Sequence, residues 1–267
     1  VAHPAPRQLV RDRLERSEGA VDWDHASVDR APAPAVLFVP GFMQRGDAWR
    51  ATAERIGTRY RSTRLDHRSA TFSGRVDEIL ERADGGTALV GYSMGGRLAL
   101  HAALRRPRAL AALVLVGASA GIEDDALRAE RRDADERLAG WMEGRSIEAI
   151  VEAWERLPVF ATQSPELREA LRPGRLSHDP VELAALLRTA GQGALPPLWD
   201  RLGEIACPTL LVAGESDGVY VEAAYRMAGL LPRGTARIVP GAGHAPQLEA
   251  PDAFASALSE FLGEHIA

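Results

Sequence analysis

The chain has 267 residues, 46% of them hydrophobic, which suits one large α/β domain carrying an inserted subdomain. Its formal charge is −5, with no basic stripe to suggest nucleic acid as a partner. All 32 basic side chains are arginine, which excludes a Schiff-base lysine and a phosphate-binding P-loop. A single cysteine, Cys207, excludes an internal disulfide and a cysteine-rich zinc site. It precedes Pro208 at the start of an expected strand and is read as a buried structural thiol. No apolar run of membrane-spanning length and no signal-peptide pattern occurs, so a cytoplasmic protein without a membrane partner is expected.

Residues 1–34 suggest an arginine-rich surface helix over Gln8 to Ser17 and a linker, Ala31-Pro-Ala-Pro34. Ala35 to Pro40 reads as a buried strand, followed directly by Gly41-Phe42-Met43. Asp47 to Tyr60 has helical spacing, Arg61 to Asp66 reads as a strand and Gly74 to Ala83 as a short helix. Thr87 to Tyr92 is an apolar run long enough for a buried strand and too short for a helix; helical spacing begins at Met94. Ala109 to Gly117 is the next strand. This alternation predicts a mostly parallel central sheet flanked by helices.

The rhythm breaks at Ala118. Residues 120–195 are charged and helical, with no strand candidate, and Trp141, Trp154 and Phe160 lie in their apolar stripes. An all-helical excursion between two core strands predicts a lid over the C-terminal edge of the sheet, with the core formed by residues 35–119 and 196–267. The core resumes with a helix over Leu198 to Ile205 and a strand over Pro208 to Gly214. A helix over Val221 to Leu231, a last strand over Ala236 to Pro240 and a helix over Asp252 to Leu262 complete it.

Between the third strand and its helix lies Gly91-Tyr92-Ser93-Met94-Gly95, the G-x-S-x-G pattern of a nucleophile elbow. A chain reversing from strand to helix within one residue drives Ser93 toward positive φ, and flanking side chains collide with backbone unless they are glycine. The free N–H groups of the helix start point at the space above the hydroxyl, where an anion can be stabilised. A bare match is weak; the strand before it and the helix after it make it specific.

A serine hydroxyl becomes a nucleophile or base only when a histidine takes its proton and a carboxylate holds that imidazole. Such partners follow in the order Ser, Asp or Glu, His, each on a loop after a strand. Asp217, in Ala213-Gly-Glu-Ser-Asp217, and His244, in Pro240-Gly-Ala-Gly-His244, satisfy both conditions. Glu215, Glu123 and Asp124 are the competing carboxylates. His3, His25, His67, His101, His178 and His265 lack metal-ligand spacing and are expected to be structural or at the surface, so neither a metal nor a cofactor is expected. The backbone N–H groups of Met94 and Phe42 are the expected oxyanion donors.

With these motifs the chain resembles the α/β-hydrolase superfamily from about residue 35 to 264. Within it, the chain is similar to the 2-succinyl-6-hydroxy-2,4-cyclohexadiene-1-carboxylate synthases (MenH type) of menaquinone biosynthesis. The likeness rests on Gly91-Tyr-Ser-Met-Gly-Gly-Arg97, Gly121-Ile122, Ala129-Glu-Arg-Arg132 with Asp135, Trp154 with Leu157-Pro-Val-Phe160, Arg175-Leu-Ser177, Gly191 and Pro197-Leu-Trp199. It implies an α/β-hydrolase fold and a lyase in which the Ser–His–Asp unit acts as a base and pyruvate leaves by elimination, without an acyl-enzyme. The implied partner is a small polycarboxylate, which arginine forks suit. The resemblance assigns its binding to Arg97, Arg131 and Arg175, with Trp154 and Tyr92 at the pocket.

Two departures accompany it. The superfamily's usual His-Gly after the first core strand is Pro40-Gly41 here, which removes a side-chain hydrogen bond near the oxyanion loop. Asp66-His-Arg-Ser-Ala70 lacks the usual glycine-rich turn. The residues also allow a serine hydrolase of small esters or carbon–carbon bonds, acting through an acyl-enzyme or a gem-diol, and a catalytically silent receptor on the same scaffold. An intact triad disfavours the receptor, and three arginines converging on Ser93 would favour the lyase.

Overall fold

The computed structural model describes residues 33–266. The expected helix over Gln8 to Ser17 and nearly all of the 1–34 segment lie outside these residues. Six strands, β1 (Ala35–Val39), β2 (Arg61–Arg64), β3 (Thr87–Tyr92), β4 (Ala112–Val116), β5 (Thr209–Gly214) and β6 (Gly234–Val239), form one parallel sheet in the order β2-β1-β3-β4-β5-β6. The elbow strand β3 therefore sits in the middle, buried at all six positions. Such strands read as continuous apolar runs because helices cover both faces.

Side-chain alternation sorts each strand between two layers. Leu37, Leu89, Leu113 and Leu211 face one core with the helices α2 (Phe72–Arg82), α3 (Met94–Arg105) and α8 (Gly218–Leu230). Phe38, Val90, Val114 and Val212 face the other, where Trp49 and Phe254 fill the space beside α1 (Arg50–Ile56) and α10 (Pro251–His265). Trp49 packs at a tilt against Phe38 at 5.1 Å and Phe254 at 6.1 Å between ring centroids.

Between β4 and β5 the chain makes four helices: α4 (Asp125–Glu143), α5 (Ile147–Glu155), α6 (Pro165–Leu176) and α7 (Pro180–Ala190). Each starts at a residue whose side chain accepts from the free first-turn N–H groups: Asp124, Ser146, Ser164 and Asp179. Proline at the first position of α6 and α7 reinforces two of these starts. The four helices bury a cluster of their own, including Met142, Ile150, Val151 and Leu183, into which Met43 reaches from the loop after β1.

Several elements differ from the sequence expectation. The helix expected over Asp47 to Tyr60 is α only from Arg50 to Ile56, ending at Gly57 with φ 70°. Leu198 to Ile205 forms a 3-10 segment, Trp199–Glu204, rather than an α-helix. The strand expected from Ala109 starts at Ala112, because Ala109 closes a turn onto the Arg106 carbonyl. A four-residue helix, α9 (Pro246–Glu249), was not anticipated. No helix among the described residues is long and apolar enough to cross a membrane.

Candidate active site

The β3–α3 turn consists of Ser93 alone, at φ 51° and ψ −113°, a conformation that costs about 1–3 kcal/mol. Its N–H is tied to the Val116 carbonyl of β4 at 2.8 Å. A Cβ on Gly95 would lie 2.5 Å from the Pro40 carbonyl oxygen, and one on Gly91 would run into the Gly95 backbone. The glycines thus let the loop after β1 lie directly against the start of α3.

That loop is organised without the usual histidine: the Gln44 side chain accepts the Gly41 N–H at 3.3 Å, and Tyr92 packs where a Cβ on Gly41 would be, 2.7 Å away. The Asp66–Ala70 loop, lacking its glycine turn, is pinned instead by Glu78. That carboxylate accepts from Ser69 N at 2.8 Å, Arg68 N at 3.1 Å and the His67 ring at 2.8 Å.

Asp217 ends the turn after β5 and His244 lies in the turn after β6. His244 is buried, with Nδ1 2.7 Å from Asp217 Oδ2 and Nε2 3.1 Å from Ser93 Oγ. A carboxylate only accepts, so Nδ1 carries the hydrogen and Nε2 presents its lone pair to the serine hydroxyl. The competing acids are engaged elsewhere. Glu215 accepts from Gly241 N at 2.9 Å, Glu123 pairs with Arg226 at 2.8 Å, and Asp124 caps α4. Glu249, which sequence reasoning overlooked, spans the histidine turn: its two oxygens accept from Gly243 N at 2.7 Å and Ala245 N at 2.9 Å.

Ser93 and His244 open into a cavity of about 280 Å³ between the C-terminal ends of the strands and the four inserted helices. The expected oxyanion residues Phe42 and Met94 line it, as do Tyr92, Arg97, Arg131, Trp154 and Arg175. Trp154 packs at a tilt against Phe42 at 5.2 Å and Phe160 at 5.5 Å between ring centroids. The three arginines converge on the cavity but differ in state. Arg175 is buried and bound to Glu155 at 3.0 Å and Gln163 at 3.3 Å. Arg131 is bound to Asp135 at 2.9 Å. Arg97 has Nε and Nη1 shielded from solvent and without a hydrogen-bond partner. Burial lowers its pKa to about 10, so it stays charged at neutral pH. Burial likewise raises the pKa of the Tyr92 phenol well above its ordinary value.

Among the described residues no group of three or more His, Cys, Asp or Glu could hold a metal ion. His101 packs edge-on against Phe72 at 4.8 Å, and Cys207 is buried.

A model described as the alpha/beta hydrolase family matches residues 36–257. The chain belongs to the alpha/beta hydrolase family. This alpha/beta hydrolase is 35% identical over 175 residues to the Serratia proteamaculans protein named 2-succinyl-6-hydroxy-2,4-cyclohexadiene-1-carboxylate synthase, covering 65% of this chain and 67% of that protein. It is 38% identical over 177 residues to a Bacillus subtilis protein that carries the same name provisionally, and the match spans 65% of each chain. Among solved structures it is similar to MenH from S. aureus, with a TM-score of 0.79 and 30% identity, covering 88% of this chain and 96% of that one. An esterase from Thermogutta terrifontis superposes with a TM-score of 0.70 at 25% identity, covering 86% and 90%.

Among the residues of this alpha/beta hydrolase's cavity that escaped the sequence reading are Tyr220 and Gln192. The Tyr220 ring lies 4.7 Å from the His244 ring, and its hydroxyl is 2.8 Å from Gln192 Nε2. The position of Tyr220 three residues after Asp217, in the first turn of α8, was the only local hint of its place.

Proposed function

We propose that the chain is a carbon–oxygen lyase of the MenH type, eliminating pyruvate from a succinyl-enolpyruvyl-cyclohexene carboxylate in menaquinone biosynthesis. The observation that carries this reading is Arg97: a charged guanidinium with two buried nitrogens unpartnered, in the cavity of Ser93 and His244. Burying such a charge is costly unless a ligand supplies the counter-charge, and a neutral ester would not. Arg131 and Arg175, each paired with a carboxylate, line the same cavity with further guanidinium donors, so a small molecule with several carboxylates is the substrate class that fits. Residues 120–195 act as a lid that closes this space from water. A cytoplasmic setting accords with such a substrate.

In this reading Ser93 Oγ removes the proton from the ring carbon beside the succinyl carbonyl while its own hydrogen passes to His244 Nε2. Asp217 stabilises the resulting imidazolium. The backbone N–H groups of Met94 and Phe42 receive the enolate oxygen. The electron pair then moves into the ring as a double bond, the bond to the enolpyruvyl oxygen breaks, and the departing enolate takes the proton held by His244 Nε2 to become pyruvate, which restores the neutral imidazole. The test supplies the enolpyruvyl substrate and follows pyruvate. Wild type releases it, whereas Ser93→Ala and His244→Ala lose roughly three or more orders of magnitude in kcat while keeping their fold. No pyruvate from wild type, or near-normal turnover in either variant, refutes the reading.

A serine hydrolase of small esters or carbon–carbon bonds is the second reading, favoured by the 3.1 Å contact between hydroxyl and imidazole that would equally activate a nucleophile. A stoichiometric burst of acylation by p-nitrophenyl acetate, without pyruvate release, would select it.

A further inference from the structure

From the hydrogen-bond directions around Gln192 we infer that Tyr220 is a substrate-binding residue that donates its hydroxyl hydrogen to a carboxylate oxygen of the anion held by Arg97. The inference deepens the proposed function and rests on its polycarboxylate substrate class. Arg131 Nη1 lies 3.3 Å from Gln192 Oε1, and Gln192 Nε2 lies 2.8 Å from Tyr220 Oη. An arginine can only donate, so the Gln192 carbonyl must face it and the amide N–H₂ must face the phenol. Tyr220 Oη is therefore the acceptor in that bond, and its own hydrogen points elsewhere.

No described protein group accepts that hydrogen. The His244 ring beside it is committed at both nitrogens, Nδ1 to Asp217 and Nε2 to Ser93. The cavity is the space left, and Arg97 and Arg131 line that same cavity with Tyr220. Two donors, one charged and one neutral, thus lack acceptors in one place. A carboxylate, acceptor-only with two oxygens, satisfies both at once. Asp135, holding Arg131 Nε at 2.9 Å, anchors the far end of the chain, so the phenol is aimed by residues from α4, the turn after α7, and α8.

The test uses the full chain with Tyr220→Phe, Gln192→Leu and the double variant. Tricarballylate binding is measured by calorimetry and pyruvate release by steady-state kinetics. A hydrogen bond to a charged group sets the expected loss: Tyr220→Phe weakens tricarballylate binding and lowers kcat/KM roughly ten- to hundredfold. Gln192→Leu costs less, because the phenol remains but is no longer aimed. The double variant is no worse than Tyr220→Phe, since the two act as one unit. The thermal midpoint of Tyr220→Phe stays near wild type, which separates a binding role from a structural one. Wild-type tricarballylate affinity in Tyr220→Phe overturns the inference, as do losses that multiply in the double variant. A wild type that does not bind tricarballylate overturns it together with the carboxylate-binding reading. Tyr220-dependent tricarballylate binding without pyruvate release removes the proposed reaction and leaves this inference standing.

Discussion

Arg97 carries opposite consequences for stability and for binding. Its shielded nitrogens lose hydration without gaining a protein acceptor, so the folded state bears a cost that, under the proposed function, a ligand carboxylate would relieve. Methionine preserves most of the apolar stem while removing the charge. Arg97→Met is accordingly expected to raise the thermal midpoint by a few degrees, about 1 kcal/mol in a chain of this size, and to lower kcat/KM for the polycarboxylate by roughly a hundredfold or more. Thermal unfolding and pyruvate kinetics on the same preparation check both signs. A variant that is less stable and fully active would contradict the argument. Arg175 and Arg131 do not share this property, because Glu155 and Asp135 already neutralise them.

At the scale of the element, the histidine turn depends on a carboxylate five residues downstream. Glu249, at the end of α9, holds the N–H groups on both sides of His244, and Gly243 accommodates this by lying against Thr162 and the carboxylate itself. Removing it leaves two N–H groups in a largely buried turn without acceptors, each costing about 1–3 kcal/mol. Glu249→Ala is expected to lower both the unfolding midpoint and kcat, the latter by about tenfold or more as the imidazole loses its fixed orientation. Glu249→Gln, with one acceptor oxygen left, should fall between the two. Equal kcat in all three proteins would remove the turn from the mechanism. Neither α9 nor this clamp was legible locally, since Pro246–Glu249 is too short for a periodic signal. The starts of α4 to α7 do carry a local signal, a capping Asp or Ser acting within a single turn, although in sequence residues 120–195 read only as one helical stretch.

At the scale of the molecule, burial acts on three histidines outside the cavity. Desolvation is the first cause for His67, His101 and His178, reinforced by nearby arginines, and each pKa is lowered to about 4. The unfolded chain binds those protons near pH 6.5 and the folded chain resists them until about pH 4. Their contribution is therefore complete above pH 6.5 and is lost as the pH falls from 6.5 toward 4, on the order of 1–3 kcal/mol each. The urea midpoint should be level from pH 7.5 to 6.5 and fall steadily below it. A flat profile down to pH 4.5 would refute the assignment. His67→Gln should reduce the slope, since Gln can still donate to Glu78 without titrating.

By itself the sequence determined the sheet-and-helix alternation, the bend at Ser93, the helical excursion between β4 and β5, and the positions of Asp217 and His244 on turns after strands. Apolar period, glycine placement and capping act over a few residues, so each can be read within a short window. Only the tertiary structure decided which of three arginines is left without a partner, that Glu78 and Gln44 replace the expected loop devices, and that Tyr220 and Gln192 face the cavity. These depend on donors and acceptors brought together from distant parts of the chain, whose pairing exists only after the sheet and the inserted helices have packed.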